Sequence, residues 1–348
     1  MERNLAMELV RVTEAAALAS ARLMGRGDET AADMAAIEAM RKAFDAIAID
    51  GTVVIGEGAE DAMPMLYVGE KVGTGHGPAT DVALDALEGA AITAAGGYNA
   101  LSVIAIAEHG TFLRVPDTYM DKIACGPEGR GLIDLDRRPS ENLKALADAR
   151  GVYVEDLTVA ILDRPRHNAL IEEVRRAGAR IKLITSGDVS AALATTRPDT
   201  GIDILMGVGG APQGVLAAAF LLCAGGEMQA RLKPRNEHET GELRKLGLFD
   251  LQRKYRLDEL ASGSVMCAAT GITPGDYLRG VRYLKGGGGH QPGRHALPDA
   301  HRALHRGAPP LRPLAGVLIA ERTGRAPTYP DAGLKSYGAW TAQTPITS

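Results

Sequence analysis

The sequence predicts an α/β protein with two subdomains, and three observations carry that expectation. The chain has 348 residues, more than one compact core usually absorbs. Short apolar runs ending in small or acidic residues alternate with helical stretches through its middle, as in sheets flanked by helices. Aromatic residues make up only 4% while Ala and Gly fill much of the apolar quota, so packing is expected to rest on close helix–sheet contact rather than on large rings.

Leu5, Leu9, Val12 and Leu18 form a helical stripe that stops at Gly25-Arg26-Gly27. Thr30 then opens a second helix through about Ala46, with Asp33 in its first turn. Strands are expected at Thr52–Ile55, Val82–Leu84, Leu101–Ala107, Thr158–Leu162, Ile181–Thr185, Ile204–Val208 and Val265–Ala269. Helices are expected at Asn168–Ala177, Val189–Thr195 and Gln213–Cys223. The polar segment Arg137–Asn142 suggests a boundary near residues 140–155. The expected units are residues 1–150, carrying a metal site, and 151–285, binding a sugar phosphate, followed by an atypical segment, 286–348.

A net charge of -4 gives no reason to expect nucleic acid or an anionic membrane as partner. Cys125, Cys223 and Cys267 are widely spaced and odd in number, so neither a zinc motif nor a disulfide framework follows, and a reducing cytoplasm fits best. Met1-Glu2-Arg3-Asn4 leads straight into an amphipathic pattern unlike a signal peptide. The longest apolar run, around Val215 to Cys223, is too short to span a bilayer.

Chemistry concentrates in acidic residues at strand ends. Gly56-Glu57-Gly58 follows the first expected strand, with Asp61 one loop later, and Asp85-Ala86-Leu87-Glu88-Gly89 follows the second. A strand running into a glycine-flanked carboxylate places it at the open end of a sheet, where α/β proteins bind ligands. Mg²⁺ and Mn²⁺ take hard oxygen ligands from several elements and clamp phosphate oxygens. Taken singly, each acid reads as a solvated turn residue; the joint pattern does not. Arg164 and Arg166 flank Pro165 just before a helix, where two guanidinium groups and the helix N-terminus suit a phosphate. His167 reads as structural.

With these residues in place, the sequence resembles the class II fructose-1,6-bisphosphatases, within the lithium-sensitive sugar phosphatase and inositol monophosphatase group. The matching stretches are G-R-G-D from Gly25, D-G-T-V-V-I-G-E-G from Asp50, P-M-L-Y-V-G-E-K-V-G-T-G from Pro64 and D-A-L-E-G from Asp85. They continue with P-D-T-Y-M from Pro116, R-P-R-H from Arg164, G-V-G-G-A-P-Q-G from Gly207 and A-T-G-I-T from Ala269. The resemblance implies a layered α/β/α/β/α fold, Mn²⁺ or Mg²⁺ dependence, homodimers or tetramers, and removal of the 1-phosphate of fructose 1,6-bisphosphate in gluconeogenesis. It implies that Asp33 and Glu57 hold one metal, that Asp85 and Glu88 hold a second, and that Asp61 sits in the catalytic loop. Glu88, Gly89, Ala90, Tyr119, Arg164, Pro165, Arg166, Ser186, Gly187, Asp188 and Gly210 then line the substrate pocket. Sedoheptulose 1,7-bisphosphate is an alternative substrate, since the pocket differs at Ser186.

Two departures bear on catalysis. Ala90 stands where the family has a threonine that orients and deprotonates the attacking water, and Gln213 stands where it has a metal-binding glutamate. Losing a positioned proton-transfer partner costs about 10²–10⁴ in rate, so an impaired homologue that binds phosphosugar is the contrasting reading. From Gly286 the chain turns Gly-, Pro-, Arg- and His-rich. His290, His295, His301 and His305 lie in no helix or strand pattern that would gather them around a metal. Permitted codons for this stretch, read one base later, spell T-N-L-V-V-M-R-S-R-T-R-T-V-R-F-I-E-A, close to the family's closing strands. A one-base slip within the codons of Gly286–Gly289 is therefore expected, which makes 286–348 a non-native, disordered tail.

Overall fold

The computed structural model describes residues 3–59, 63–283 and 317–322. The chain begins with α1 (Arg3–Ala21), α2 (Glu29–Phe44), β1 (Asp50–Ile55), β2 (Lys71–Val72), β3 (Ala79–Glu88), α3 (Ala90–Ala95), β4 (Leu101–Glu108) and β5 (Tyr119–Cys125). Next come α4 (Pro139–Arg150), β6 (Thr158–Leu162), α5 (Asn168–Ala177), β7 (Arg180–Ile184), α6 (Asp188–Ala194), β8 (Ile204–Gly210) and α7 (Ala211–Ala224). The described elements close with β9 (Glu227–Lys233), α8 (Glu237–Lys245), β10 (Tyr255–Arg256), α9 (Leu257–Leu260), β11 (Val265–Gly271) and β12 (Val317–Arg322).

The strands form two mixed six-stranded sheets, β12-β11-β4-β3-β1-β2 and β10-β9-β5-β8-β6-β7. Helix α1 packs against β11, β4 and β3, and α2 against β3, covering one face of the first sheet. Helix α7 touches β11, β4 and β3 on one side and β9, β5 and β8 on the other, so it lies between the sheets. Helix α5 packs on β7 and pairs with α4 to cover the far face of the second sheet. The expected α/β/α/β/α layering follows, with one apolar cluster under α1 and α2, one around α7 between the sheets and one under α4 and α5.

Small residues permit this closeness. Nearly the whole surface of α7 is buried, and a Cβ at Gly214 would sit 2.2 Å from the sulfur of Met120 on β5. The sheets also draw on both sides of residue 150: β5 belongs to the second sheet and β11 to the first. The segment read as a polar boundary is the start of α4, which buries Leu143, Leu146 and Ala147.

Two local expectations change. Asp28 caps α2 by accepting from the Ala31 amide at 2.9 Å, so the helix starts at Glu29 and Asp33 falls in its second turn rather than its first. Val317–Arg322, inside the segment expected to be disordered, forms a strand that pairs antiparallel with β11 from Thr270↔Val317 to Val265↔Arg322. The rest of residues 286–348, and with it the frame-shift reading, lies outside the described residues.

Candidate active site

The first wall of the site is made by two parallel strand ends. β1 and β3 run side by side, and Glu57 follows the end of β1 while Asp85 and Glu88 lie in the last turn of pleat of β3. Residues three apart on a regular strand face opposite ways. Here the register of β3 against β4 shifts between Asp85 and Glu88, and this irregularity brings both carboxylates into one neighbourhood.

Each carboxylate is held by backbone. The Ala86 amide donates to Glu57 Oε1 at 2.7 Å. The Val189 and Ser190 amides at the start of α6 donate to Glu88 Oε1 and Oε2 at 2.8 and 3.3 Å. Gln213, in the first turn of α7, donates through Nε2 to Asp85 Oδ2 at 3.2 Å.

These acids destabilise one another's charge. Burial pushes Glu57 well above the usual carboxylate range, helped by Asp85 and Asp33. Burial, with repulsion from Asp33 and Asp188, pushes Asp85 up to about 6. Burial raises Glu88 well above its ordinary value, with Asp188 and Asp85 adding to it. Asp33 is raised by burial and by Glu29. A cluster of crowded carboxylate oxygens under mutual repulsion suits a hard divalent cation. Among the described residues no three His, Cys, Asp or Glu side chains form a finished ion cage, and Asp61 lies outside the described residues.

The second wall carries cations. Tyr119 opens β5 opposite Gly210 of β8. The guanidinium groups of Arg166 and Arg235 stand 4.7 and 4.6 Å from the centre of its ring. Arg166 also donates through Nε and Nη2 to Val208 O at 3.1 and 2.8 Å. Arg164 donates to Asp163 O at 2.8 Å and to Thr185 O at 2.7 Å. His167 is buried and structural: Nδ1 lies 2.7 Å from Leu162 O, and Nε2 accepts from the Val208 amide at 2.8 Å.

Lys122 joins the walls, and sequence reasoning missed it. It is 2% exposed in the middle of β5. Its ammonium pairs with the Asp188 carboxylate and donates to Gly210 O at 3.0 Å. Close by, a Cβ at Gly209 would lie 2.5 Å from Asp188 Oδ2 and 3.2 Å from Lys122 Cε, so only glycine fits there. The signal was a lone lysine inside the run M-D-K-I-A-C from Met120. Ser186 and Gly187 lead into α6 as expected, Gly187 with a positive φ of 88°. Gly89, in the same conformation, precedes α3, whose first residue is Ala90.

The family model for bacterial, glpX-encoded fructose-1,6-bisphosphatase matches residues 3–291. The chain belongs to that family. It is 46% identical over 294 residues, 81% of its length, to the class 2 fructose-1,6-bisphosphatase 1 of Escherichia coli K12, covering 88% of that protein. The class 2 fructose-1,6-bisphosphatases of Escherichia coli O6:H1 and Shigella flexneri match with the same identity and coverage. Members of the family are phosphoric monoester hydrolases. No helix among the described residues is long and apolar enough to cross a membrane.

Proposed function

We propose that the chain is a divalent-metal-dependent phosphatase that converts fructose 1,6-bisphosphate to fructose 6-phosphate and inorganic phosphate. The observation that carries the reading is the carboxylate cluster of Glu57, Asp85 and Glu88, bridged through Gln213 and Asp188 to a cationic wall. Mn²⁺ or Mg²⁺ held by Asp33, Glu57, Asp85 and Glu88 would supply Lewis acidity toward the phosphate oxygens. Arg166, stacked on Tyr119, offers its guanidinium group to the phosphosugar. The Ser186-Gly187-Asp188 turn and Gly210, tied together by Lys122, bound the sugar. Asp61 belongs to the catalytic loop. The protein acts in the cytoplasm as a dimer or tetramer and belongs with the wider inositol monophosphatase-like group.

A second reading, a slow enzyme or phosphosugar-binding homologue, is favoured by two side chains. Ala90 offers only a methyl group where a hydroxyl would take the water's proton. Gln213 donates to Asp85, so its amide substitutes for part of the cation's role instead of adding a ligand charge. Phosphate release from fructose 1,6-bisphosphate with Mn²⁺, for this chain and its Ala90→Thr/Gln213→Glu variant, separates the two. A gain of about 10²–10⁴ in kcat supports impairment, and equal high rates remove it. No release by either protein from fructose 1,6-bisphosphate, with release from sedoheptulose 1,7-bisphosphate, moves the substrate assignment.

A further inference from the structure

Away from the carboxylates, α7 and β11 bring two cysteines together. Cys223 sits in the last turn of α7 and Cys267 in the middle of β11. Their sulfurs are 3.9 Å apart although the residues are 44 positions apart in sequence. A disulfide S–S bond is about 2.05 Å long, so closing it brings the two sulfurs about 2 Å nearer. The partners are unequal. Cys267 is 1% exposed, whereas Cys223 is half-buried and its thiol also reaches toward Val265 O at 3.6 Å. The third cysteine, Cys125, lies in the separate cluster between the second sheet and α4 and α5.

We propose that Cys223 and Cys267 are a modification site at which a hydroperoxide closes a reversible disulfide between α7 and β11. A small oxidant suits a half-buried sulfur better than a bulky disulfide does. Cys223, as thiolate, attacks the nearer peroxide oxygen; an S–O bond forms, the O–O bond breaks and the departing oxygen takes a proton. Cys223 is then a sulfenic acid. The Cys267 sulfur attacks the Cys223 sulfur, the S–O bond breaks, and the hydroxyl leaves as water with the Cys267 proton. Two thiols and one hydroperoxide give one disulfide, one water and one alcohol, or a second water from hydrogen peroxide itself. Cys267 is buried and its thiol is held protonated, well above its ordinary pKa, so the more exposed Cys223 is the first sulfur oxidised.

The test is to expose the reduced full chain to stoichiometric hydrogen peroxide, then unfold it, alkylate it and map its peptides by mass. The expected result is an intact monomer lighter by two hydrogens, a linked peptide pair containing Cys223 and Cys267, one alkylated thiol at Cys125, and full reversal by dithiothreitol. In Cys267→Ser the reaction stops at a sulfenic acid on Cys223 that dimedone traps, and in Cys125→Ser the disulfide still forms. Three alkylatable thiols after treatment of the wild type overturn the proposal. So does sulfinic acid on Cys223 beside a free Cys267, or a disulfide that links two chains. The wild-type peptide map decides the matter even where a substitution fails to fold.

Discussion

On the first-sheet wall, Glu57, Asp85 and Glu88 crowd together and each is driven toward its neutral form. On the second-sheet wall every charge that shapes the site has a partner of its own: Lys122 with Asp188, Arg235 with Glu239, and Arg166 with Val208 O and the Tyr119 ring. A wall of unbalanced carboxylates stores repulsion that protonation or a bound cation relieves. A wall whose charged side chains are each held by a partner keeps its shape whether or not a ligand is present. On the proposed function, the first wall binds the metal and the second orients the anionic sugar phosphate.

The largest effect that would break this contrast comes from the first wall. Asp85→Asn should lower metal-dependent phosphate release at least about 10³-fold, because several kcal/mol of charge stabilisation leaves with the cation. A loss under tenfold would move the reaction elsewhere. Next is the link between the walls. Lys122→Met strands a buried carboxylate and should cost about 3–5 kcal/mol in urea unfolding. The double variant Lys122→Met/Asp188→Leu should recover most of that stability while losing substrate affinity.

Smaller effects belong to the second wall alone. Arg166→Ala should raise KM for fructose 1,6-bisphosphate about 10- to 100-fold, the worth of a charged hydrogen bond, with kcat changed much less. Glu239 supports Arg235 from behind. Burial alone would raise its carboxyl, but the Arg235 amide, the Thr118 hydroxyl and the Arg235 guanidinium together hold it below the usual range. A lowered folded pKa stabilises above the unfolded value of about 4.3 and is lost as pH falls through the folded value. Glu239→Gln should therefore destabilise the protein at pH 7, and its deficit should shrink as the pH falls below about 4.

The first wall was legible in the sequence because its chemistry is local. Glu57, Asp85 and Glu88 each come at the end of a short apolar run, and Glu57 and Glu88 adjoin a glycine, so strand and carboxylate appear together in one stretch. The second wall is assembled from distant pieces that share no pattern. β5 escaped notice because Asp121 and Lys122 interrupt its apolar residues, and a buried lysine looks like solvent until Asp188, 66 residues later, is seen beside it. Arg235 leaves no mark in the sequence beyond its charge, since its place over Tyr119 depends on β5 and β9 pairing. The spacing of Arg164 from Arg166 likewise says nothing of the hydrogen bond that ties Arg164 to Thr185 O. The strand Val317–Arg322 was hidden because the surrounding sequence is too rich in Gly, Pro and Arg for six residues to stand out.

Calorimetric titration of Mn²⁺ into the metal-free protein, with its Asp85→Asn and Arg166→Ala variants, tests the division between the walls most directly. The account predicts that Asp85→Asn weakens Mn²⁺ binding at least about tenfold and that Arg166→Ala leaves it unchanged. Binding by Asp85→Asn as tight as the wild type's, or an equal loss in Arg166→Ala, would contradict it.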